Sequence, residues 1–484
     1  HTYVNEVISI NWPWDKPYHE QVVEQIKPKY ETQEEMILRL VREHKENIDN
    51  ITMGERYYNH HPDILDAPFK RDVNGDYDET KPDWRMYTNY HQNLVDQKVA
   101  YAVANPVTFG VDNDKALKQI QHTLNHKWDD KLVDILTAAS NKGIEWVQPY
   151  VDEEGEFKTF RVPAEQAVPI WTNKERDELQ AFIRVYELDG AERVEYWTKD
   201  DVTFYELKEG QLIPDFYRSE DHIQPHYYQG NKLMSWGRVP FIPFKNNPQE
   251  VSDLFMYKTI IDALDKRLSD TQNTFDESVE LIYILKGYEG EDMKDFMHNL
   301  KYYKAISVAG ESGSGVDTIK VEVPIDSVKE YTKMLRDYII EFGQGVDFQQ
   351  DKFGNSPSGI ALKFMYSNLD LKANKLKNKT LTALQELLQY IIDFYRLDVK
   401  VQDIEITFNF NVMVNELENS QIAMNSTGLL SKETILSNHA WVEDPVAEME
   451  RIEQENIELN QQLPDIEEGL NGEQQRQSKN NQPE

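Results

Sequence analysis

Three places in this 484-residue chain bring together residue types that could do chemistry. His60 and His61 are adjacent imidazoles, the commonest metal ligands, but helical neighbours point about 100° apart and no HExxH or HxH pairing accompanies them. Asp72, Asp76 and Asp78 surround Asn74-Gly75 like the acids of a calcium loop. The glycine falls at the wrong offset for an EF-hand, and Asn-Gly is the dipeptide preferred by a type I′ hairpin turn. The stretch GESGSGVD at 310–317 has the glycines of a phosphate-cradling loop, yet Val316-Asp317 stand where a P-loop needs lysine followed by serine or threonine. Carboxylates are so abundant that any pair could be nominated as acid and base, and no G-x-S-x-G occurs. With no cysteine, disulfides, thiolate zinc sites and a cysteine nucleophile are excluded. The expectation is a chain with no catalytic residue, no metal and no cofactor, hence not an enzyme.

Charge limits the partners. With 86 acidic and 52 basic residues the formal charge is −34, and a protein that grips a phosphate backbone ordinarily presents a basic face. The distribution is uneven: Lys363 to Lys379 carries five lysines against Asp370, whereas Glu416 to Glu484 carries fifteen acids against four bases. No run of 18 apolar residues is present, so no membrane span or membrane partner is expected.

The elements that would position any site are legible by period. Helical spacing covers Thr32 to Tyr58, Tyr90 to Ala104, Lys115 to Leu124 and Trp128 to Asn141. From Gly143 the period changes to two, giving the strands GIEWVQPYV, EFKTFRV, AFIRVYEL, RVEYWT and VTFYEL as a meander, with a Pro/Asn-rich extended connection over 213–248. SDLFMYKTIIDALDKRLSDTQNTFDES places Leu254, Ile261, Leu264, Leu268 and Phe275 on one side of a helix. DSVKEYTKMLRDYIIEFGQGV places Val328, Tyr331, Leu335, Tyr338 and Phe342 along a packing seam. Between them VELIYIL, a helical stretch at 291–300, AISVA and TIKVEV read as a small α/β insert whose loop tip is GESGSGVD. After the second helix, Ser356 and Pro357 are suited to N-cap and first turn of a long helix reaching Arg396, with a kink expected near Asn374 and Asn378. A strand DIEITFNFNV, a helix after Asp444-Pro445 and a polar tail from Pro464 complete the chain, and Trp12-Pro13-Trp14 lies in a polar, aromatic N-terminal arm. The fold class is α+β, predominantly helical.

Several stretches, in consistent order over most of the chain, resemble the portal proteins of tailed double-stranded DNA bacteriophages of the long-tailed type infecting Gram-positive bacteria. They are LVDQKVAYAVANPVTF at Leu94 to Phe109, NKGIEWVQPYVDEEGEF at Asn141 to Phe157, WGRVPFIPFKNNPQEVSDL at Trp236 to Leu254, LDLKAN at Leu369 to Asn374 and GLLSKETILSNHAWVEDPVAEMERIE at Gly428 to Glu453.

The resemblance implies a homo-oligomeric ring, normally of twelve subunits, at one capsid vertex of the virion, with the host cytoplasm as the site of assembly. It would pass double-stranded DNA during packaging and ejection, with terminase large subunit, head-to-tail adaptor protein, major capsid protein and scaffolding protein as partners. Carried onto this chain, residues 1–251 form the wing, 252–278 and 326–346 the stem helices, 279–325 the clip and 347–358 the tunnel loop. Residues 359–415 form the long wing helix and wing strand, 416–463 the crown and 464–484 a polar, disordered tail. The tunnel loop then comprises Asp347, Phe348, Gln349, Gln350, Asp351, Lys352, Phe353, Gly354, Asn355 and Ser356, and its aromatic bulk and Lys352 depart from the relatives. Lys329, Lys333 and Arg336 are the channel-facing stem candidates, and Gly310, Glu311, Ser312, Gly313, Ser314 and Gly315 the partner-docking candidates of the clip. The competing expectations are a structural adaptor ring that does not handle DNA and an enzyme with an unrecognised carboxylate site.

Overall fold

The structure is a computed structural model. It describes residues 31–70, 76, 81–217, 221–230, 232–278, 282–286, 292, 294, 298, 315–319, 324–347, 359–410, 416–437, 439, 442 and 445–462. Residues up to 347 with 368–411 form one compact unit, and 348–367 with 412–484 a second.

In the first unit, α1 (Gln33–Tyr58) starts at a capping box in which the Thr32 hydroxyl accepts from the Glu35 amide and the Glu35 carboxylate accepts from the Thr32 amide. It ends in a turn at His60, whose φ of 64° stops the helix. Then come α2 (Tyr90–Val103), β1 (Thr108–Gly110), α3 (Asp114–Thr123) and α4 (His126–Lys142). Gly143 closes α4 at φ 92°, where a Cβ would lie 2.1 Å from the Glu250 carbonyl oxygen, so only glycine fits this turn.

The meander follows as β2 (Ile144–Val151), β3 (Phe157–Val162), β4 (Ala167–Trp171), β5 (Leu179–Leu188), β6 (Ala191–Trp197), β7 (Asp201–Lys208), β8 (Gln211–Pro214), β9 (Ile223–Pro225), β10 (Tyr227–Gln229), β11 (Lys232–Met234) and β12 (Ile242–Lys245). Strands β4-β5-β6-β7-β8 form one antiparallel sheet with β9 added to β7, β12-β2-β3 form a second, and β10-β11 a hairpin. Period-2 alternation sorts the side chains. Ile183, Val194 and Tyr205 meet Ile37, Leu40 and Val41 of α1 on one face, and Phe182, Trp197 and Phe204 join Trp146, Trp171 and Phe241 in an aromatic core on the other. Phe182 stacks on Phe241 with centroids 3.8 Å apart.

Beyond the sheets lie α5 (Lys258–Ser278), the antiparallel pair β13 (Ile282–Lys286) and β14 (Gly315–Ile319), α6 (Ile325–Phe342), α7 (Gly359–Tyr395) and β15 (Glu405–Thr407), which pairs with β1. The second unit holds the start of α7 with α8 (Glu416–Ser426), α9 (Lys432–Ser437) and α10 (Pro445–Gln462). The mixed helix and strand content is that of an α+β chain.

Several expectations change. The first long helix does not begin at Ser252: the Ser252 hydroxyl caps a 3-10 turn, Asp253–Met256, and the α-helix starts at Lys258. Of TIKVEV only Thr318 and Ile319 lie within the described residues, and they are in the strand Gly315–Ile319, so Gly315, Val316 and Asp317 belong to a ladder rather than a loop tip. Among its described residues, DIEITFNFNV is a strand over Glu405–Thr407 alone. The expected break near Asn374 and Asn378 is absent; α7 runs 37 residues as one helix, ~55 Å, and the Asn374 amide is satisfied by the Asp370 carbonyl one turn back. Strand β4 was not anticipated. AISVA, most of 291–300, Asn74-Gly75, Asp72, Asp78, Ser356, Pro357, Trp12-Pro13-Trp14 and the tail from Pro464 lie outside the described residues.

Candidate channel-wall segment

Helices α5 and α6 pack through few side chains. Ile261 and Leu264 of α5 meet Leu335 and Ile339 of α6 in a buried cluster with Leu94, Leu254 and Tyr257. Of the expected seam on α6 only Leu335 is buried. Leu335 and Ile339 are one helical turn apart and set the contact, so Tyr331, Tyr338 and Phe342, rotated to one side, stay exposed. Tyr338 and Phe342 stack at 5.5 Å, and the Arg267 guanidinium of α5 lies over Tyr331 at 5.5 Å.

The outer side of α5 carries a polar row one turn apart: Asp265, Ser269 and Asn273. An irregular strap before α2 runs antiparallel along it. The Trp84 amide donates to Asn273 Oδ1 at 2.8 Å, the Met86 amide to Ser269 Oγ at 2.9 Å and the Thr88 amide to Asp265 Oδ1 at 2.9 Å. The match is one of pitch. Four helical residues advance about 6.0 Å and two extended residues about 6.6 Å, so every second strap amide meets every fourth helix side chain. Burial pushes the Asp265 carboxyl up to about 7, against the two Thr88 bonds that favour its ionised form. Lower on α5, Lys258 pairs with Asp63 and Asp262, and the Tyr57 hydroxyl donates to Asp262.

The C-terminal end of α6 is clamped. Gln97 of α2 accepts from the Val346 amide at 2.9 Å and donates to the Val346 carbonyl at 3.3 Å. Arg336 forms a two-pronged ion pair with Asp347 at 2.6 and 3.1 Å. Gly343 and Gly345 let this turn lie against Leu94, whose methyl carbons would be 2.6 and 2.2 Å from added Cβ atoms.

Beneath the clamp is a buried charged node. Lys98 of α2 and Lys372 of α7 approach the same carboxylate, Asp253 at the foot of α5, at 2.6 and 3.1 Å. Asn246 accepts from Lys98 and donates to Asp253, and Lys372 also donates to the Gly343 carbonyl at 2.9 Å. Burial pushes Asp253 up, but the two ammonium groups and Asn246 more than offset it and hold the carboxyl below the usual range. Burial brings Lys98 down to about 8 against the pull of Asp253. His91 beside them is pushed down to about 4 by burial and is neutral, spanning the Tyr257 hydroxyl and the Asn141 side-chain oxygen. One lysine thus ties α7, the foot of α5 and the end of α6 together.

This arrangement positions backbone and offers no chemistry of its own. Among the described residues no group of three His, Cys, Asp or Glu side chains could hold a metal, and His60 bonds Asn89. No helix among the described residues is long and apolar enough to cross a membrane. Of the residues singled out from sequence, Lys329 and Lys333 are exposed on α6, whereas Arg336 is engaged with Asp347. Gly315 stands in β14 opposite Lys286. Phe348 to Ser356 and Gly310 to Ser314 lie outside the described residues. Sequence reading missed Gln97, Lys98, Asp253 and Lys372, and it missed the strap; the one available signal was the four-residue spacing of Asp265, Ser269 and Asn273.

Residues 37–462 match the model of the family described as phage portal protein, SPP1 Gp6-like. The chain belongs to that portal family. It is 34% identical over 456 residues to the portal protein of Bacillus phage SPP1, covering 90% of this chain and 89% of that one. It is 32% identical over 425 residues to the portal protein of Clostridium phage phiCD119, covering 83% and 91%. Solved structures similar to it include a chain of the virion of a native gene transfer agent particle, at 11% identity and a TM-score of 0.41 over 71% of this chain and 88% of that chain. A chain in the neck of the native particle, computed with C12 symmetry, gives 0.39 at 11% identity over 72% and 88%. As a portal family member the chain is a structural, non-enzymatic component of the virion at the portal vertex, serving DNA packaging.

Proposed function

We propose that this portal protein works as a closed ring of about twelve copies, in which α5 and α6 are the stem, 279–325 the clip, 347–358 the tunnel loop, 1–251 and 359–415 the wing and 416–463 the crown. The observation that carries this reading is the clamp. Residues 343–347 are fixed by Gln97, Arg336 and Lys372, so the segment that follows Asp347 departs from a rigid base next to the stem. A loop meant to meet moving DNA needs that, because a contact on a yielding root does not resist the strand.

Acidity suits the task. About twelve copies at −34 make a ring of roughly −400 before counterions, against one DNA charge per ~1.7 Å, so the wall repels the duplex and DNA slides without being trapped. Lys329 and Lys333 sit on the charged side of α6 and are proposed to face the channel as weak, replaceable phosphate contacts. Arg336 serves the loop root instead. The clip segment Gly310–Ser314, with Gly315 as its first ladder residue, is proposed to dock the terminase large subunit and the head-to-tail adaptor; the wing and crown are proposed to meet the major capsid and scaffolding proteins.

Deleting Phe348 to Asn355 is expected to leave rings intact, seen by native mass spectrometry, while proheads carrying them fail to fill with DNA. Normal filling would remove the loop from the mechanism and favour an adaptor ring that does not handle DNA.

A further inference from the structure

The aromatic core between the two sheets continues into an open groove. Alternation along β2 puts Trp146, Gln148 and Tyr150 on one face of the strand. Trp146 is buried in the core, whereas Gln148 and Tyr150 line a cavity of about 850 Å³. Phe160 of β3 stands opposite Gln148, Arg184 and Tyr186 come from β5 of the other sheet, and Tyr228 of β10 and Trp236 complete the lining. At the floor Gln148 is only 8% exposed, and its amide makes no hydrogen bond among the described residues. A buried amide without partners costs free energy, so this one is complementary to a group that supplies a carbonyl for its NH2 and an N–H for its oxygen.

The walls are fixed in advance. The Arg184 guanidinium lies over Phe160 at 5.0 Å and over Tyr186 at 4.4 Å and donates twice to the Gln166 side-chain oxygen, while Trp236 packs on Tyr227 at 4.5 Å and on Tyr390 of α7 at 5.3 Å. Rings remain open at the mouth, with Tyr150 39% exposed, Phe160 42% and Tyr228 53%. Charge selects what can enter. The lining carries Asp152, Glu153, Glu154 and Glu195 against the one guanidinium of Arg184, so phosphate is repelled even though nucleic-acid bases could stack on such rings. Glu153 and Glu154 are exposed on the turn between β2 and β3 and hold no ion pair among the described residues, which leaves them available to a cation.

An extended, proline-containing peptide meets these demands together. In the polyproline II conformation a backbone makes no internal hydrogen bonds, so its carbonyls remain for the Gln148 amide, and its pre-ordered proline rings dock on tyrosine and tryptophan faces at little cost in entropy. We infer that this groove binds a proline-containing, lysine- or arginine-bearing segment of a partner protein, with Gln148 bonded to its backbone, the rings of Tyr150, Phe160 and Tyr228 against its prolines, and Glu153 and Glu154 meeting its basic side chain. The inference goes beyond the ring reading above and does not rest on it.

The test titrates purified full-length protein into a fluorescein-labelled synthetic peptide of Pro-Pro-Lys repeats and follows anisotropy. Gly-Gly-Lys and Pro-Pro-Glu peptides of the same length and a single-stranded oligothymidylate are the comparisons. Expected is saturable binding of the Pro-Pro-Lys peptide, about tenfold tighter than that of Gly-Gly-Lys, with no binding of Pro-Pro-Glu or of the oligonucleotide. Gln148→Leu and Tyr228→Ala should each weaken Pro-Pro-Lys binding about tenfold, with circular dichroism and the assembly state in native mass spectrometry unchanged. Tyr228 is half-exposed, so its variant tests the groove even where Gln148→Leu fails to fold. Equal binding of Gly-Gly-Lys and Pro-Pro-Lys would mean attraction to an acidic surface alone and overturns the proposal. Absence of Pro-Pro-Lys binding, or binding that Tyr228→Ala leaves unchanged, overturns it as well. Oligonucleotide binding that Tyr228→Ala abolishes would make the groove a base-stacking site and overturn the peptide assignment.

Discussion

Helices α5 and α6 are held by opposite means. Helix α5 is positioned by polar groups in register: the strap bonds, the Lys258 pairs and, at its foot, Asp253 in the charged node. Helix α6 is held along its length by Leu335 and Ile339 and fixed sharply only at its C-terminal end. Apolar contacts are non-directional and tolerate small slides, whereas hydrogen-bonded rows accept one register. The pair therefore combines a fixed rail with a neighbour that can adjust along its length while its C-terminal end, ahead of residue 348, stays clamped.

The strongest way to break this contrast is Asp253→Asn, which leaves two buried ammonium groups without their carboxylate. A loss of about 3–5 kcal/mol is expected in chemical denaturation. A loss below 1 kcal/mol would mean that the node does not anchor α5. Ile339→Ala should cost about 2–4 kcal/mol through the cavity it opens, with hydrogen exchange rising along α6 and unchanged at Trp84. Equal loosening of the strap would show the two helices to be one cooperative piece. Gly345→Ala is expected to cost about 1–3 kcal/mol, because its Cβ would sit 2.2 Å from a Leu94 methyl, and Leu94→Ala should relieve part of it in a double-mutant cycle. Asn273→Ala removes both of its bonds to Trp84 and should cost about 1–2 kcal/mol, with the Trp84 amide losing exchange protection.

The smallest effect is in pH dependence. The folded-state value of Asp265 lies near 7, above its ordinary 3.8, so the native state holds the proton more tightly than the unfolded chain. Its contribution is full below about 4 and is lost as pH rises towards 7. Asp265→Asn keeps an acceptor for Thr88 and should flatten that part of the stability profile relative to wild type. Glu145, pushed up by burial to about 8, titrates in the same sense in both proteins and cancels in the comparison. An unchanged profile would mean that Asp265 is ionised throughout.

What was legible in the sequence follows from which forces have a period. Helices α1 to α4 and the strands from Ile144 to Lys208 repeat apolar residues at 3.6 or 2, and their spans fall within a few residues of expectation. Strand β4, AVPIW, was invisible because Pro169 in its centre argues against a strand, and it follows directly on a 3-10 turn. The start of α5 was misplaced because Leu254 is buried on the same side as Ile261 while belonging to a different turn type. The node was out of reach: Lys98 and Asp253 are 155 residues apart, and a lysine that will be buried looks in sequence like one that will not. The clamp depended on Gln97 and Val346, 249 residues apart, for the same reason. The portal resemblance, by contrast, was carried by ordered stretches that need no contact information, and the family match over residues 37–462 agrees with it.

The strap has a mechanical consequence. Its three amide bonds to α5 act in parallel, so a pull along the helix axis must break them together, as shearing a strip of teeth is harder than peeling one. The strap leads without interruption into α2, whose Gln97 and Lys98 grip the clamp and the node. Axial strain entering α5 at its C-terminal end is thus handed to α2 and delivered at the clamped turn 343–347, along a route that bypasses the compliant contact between α5 and α6.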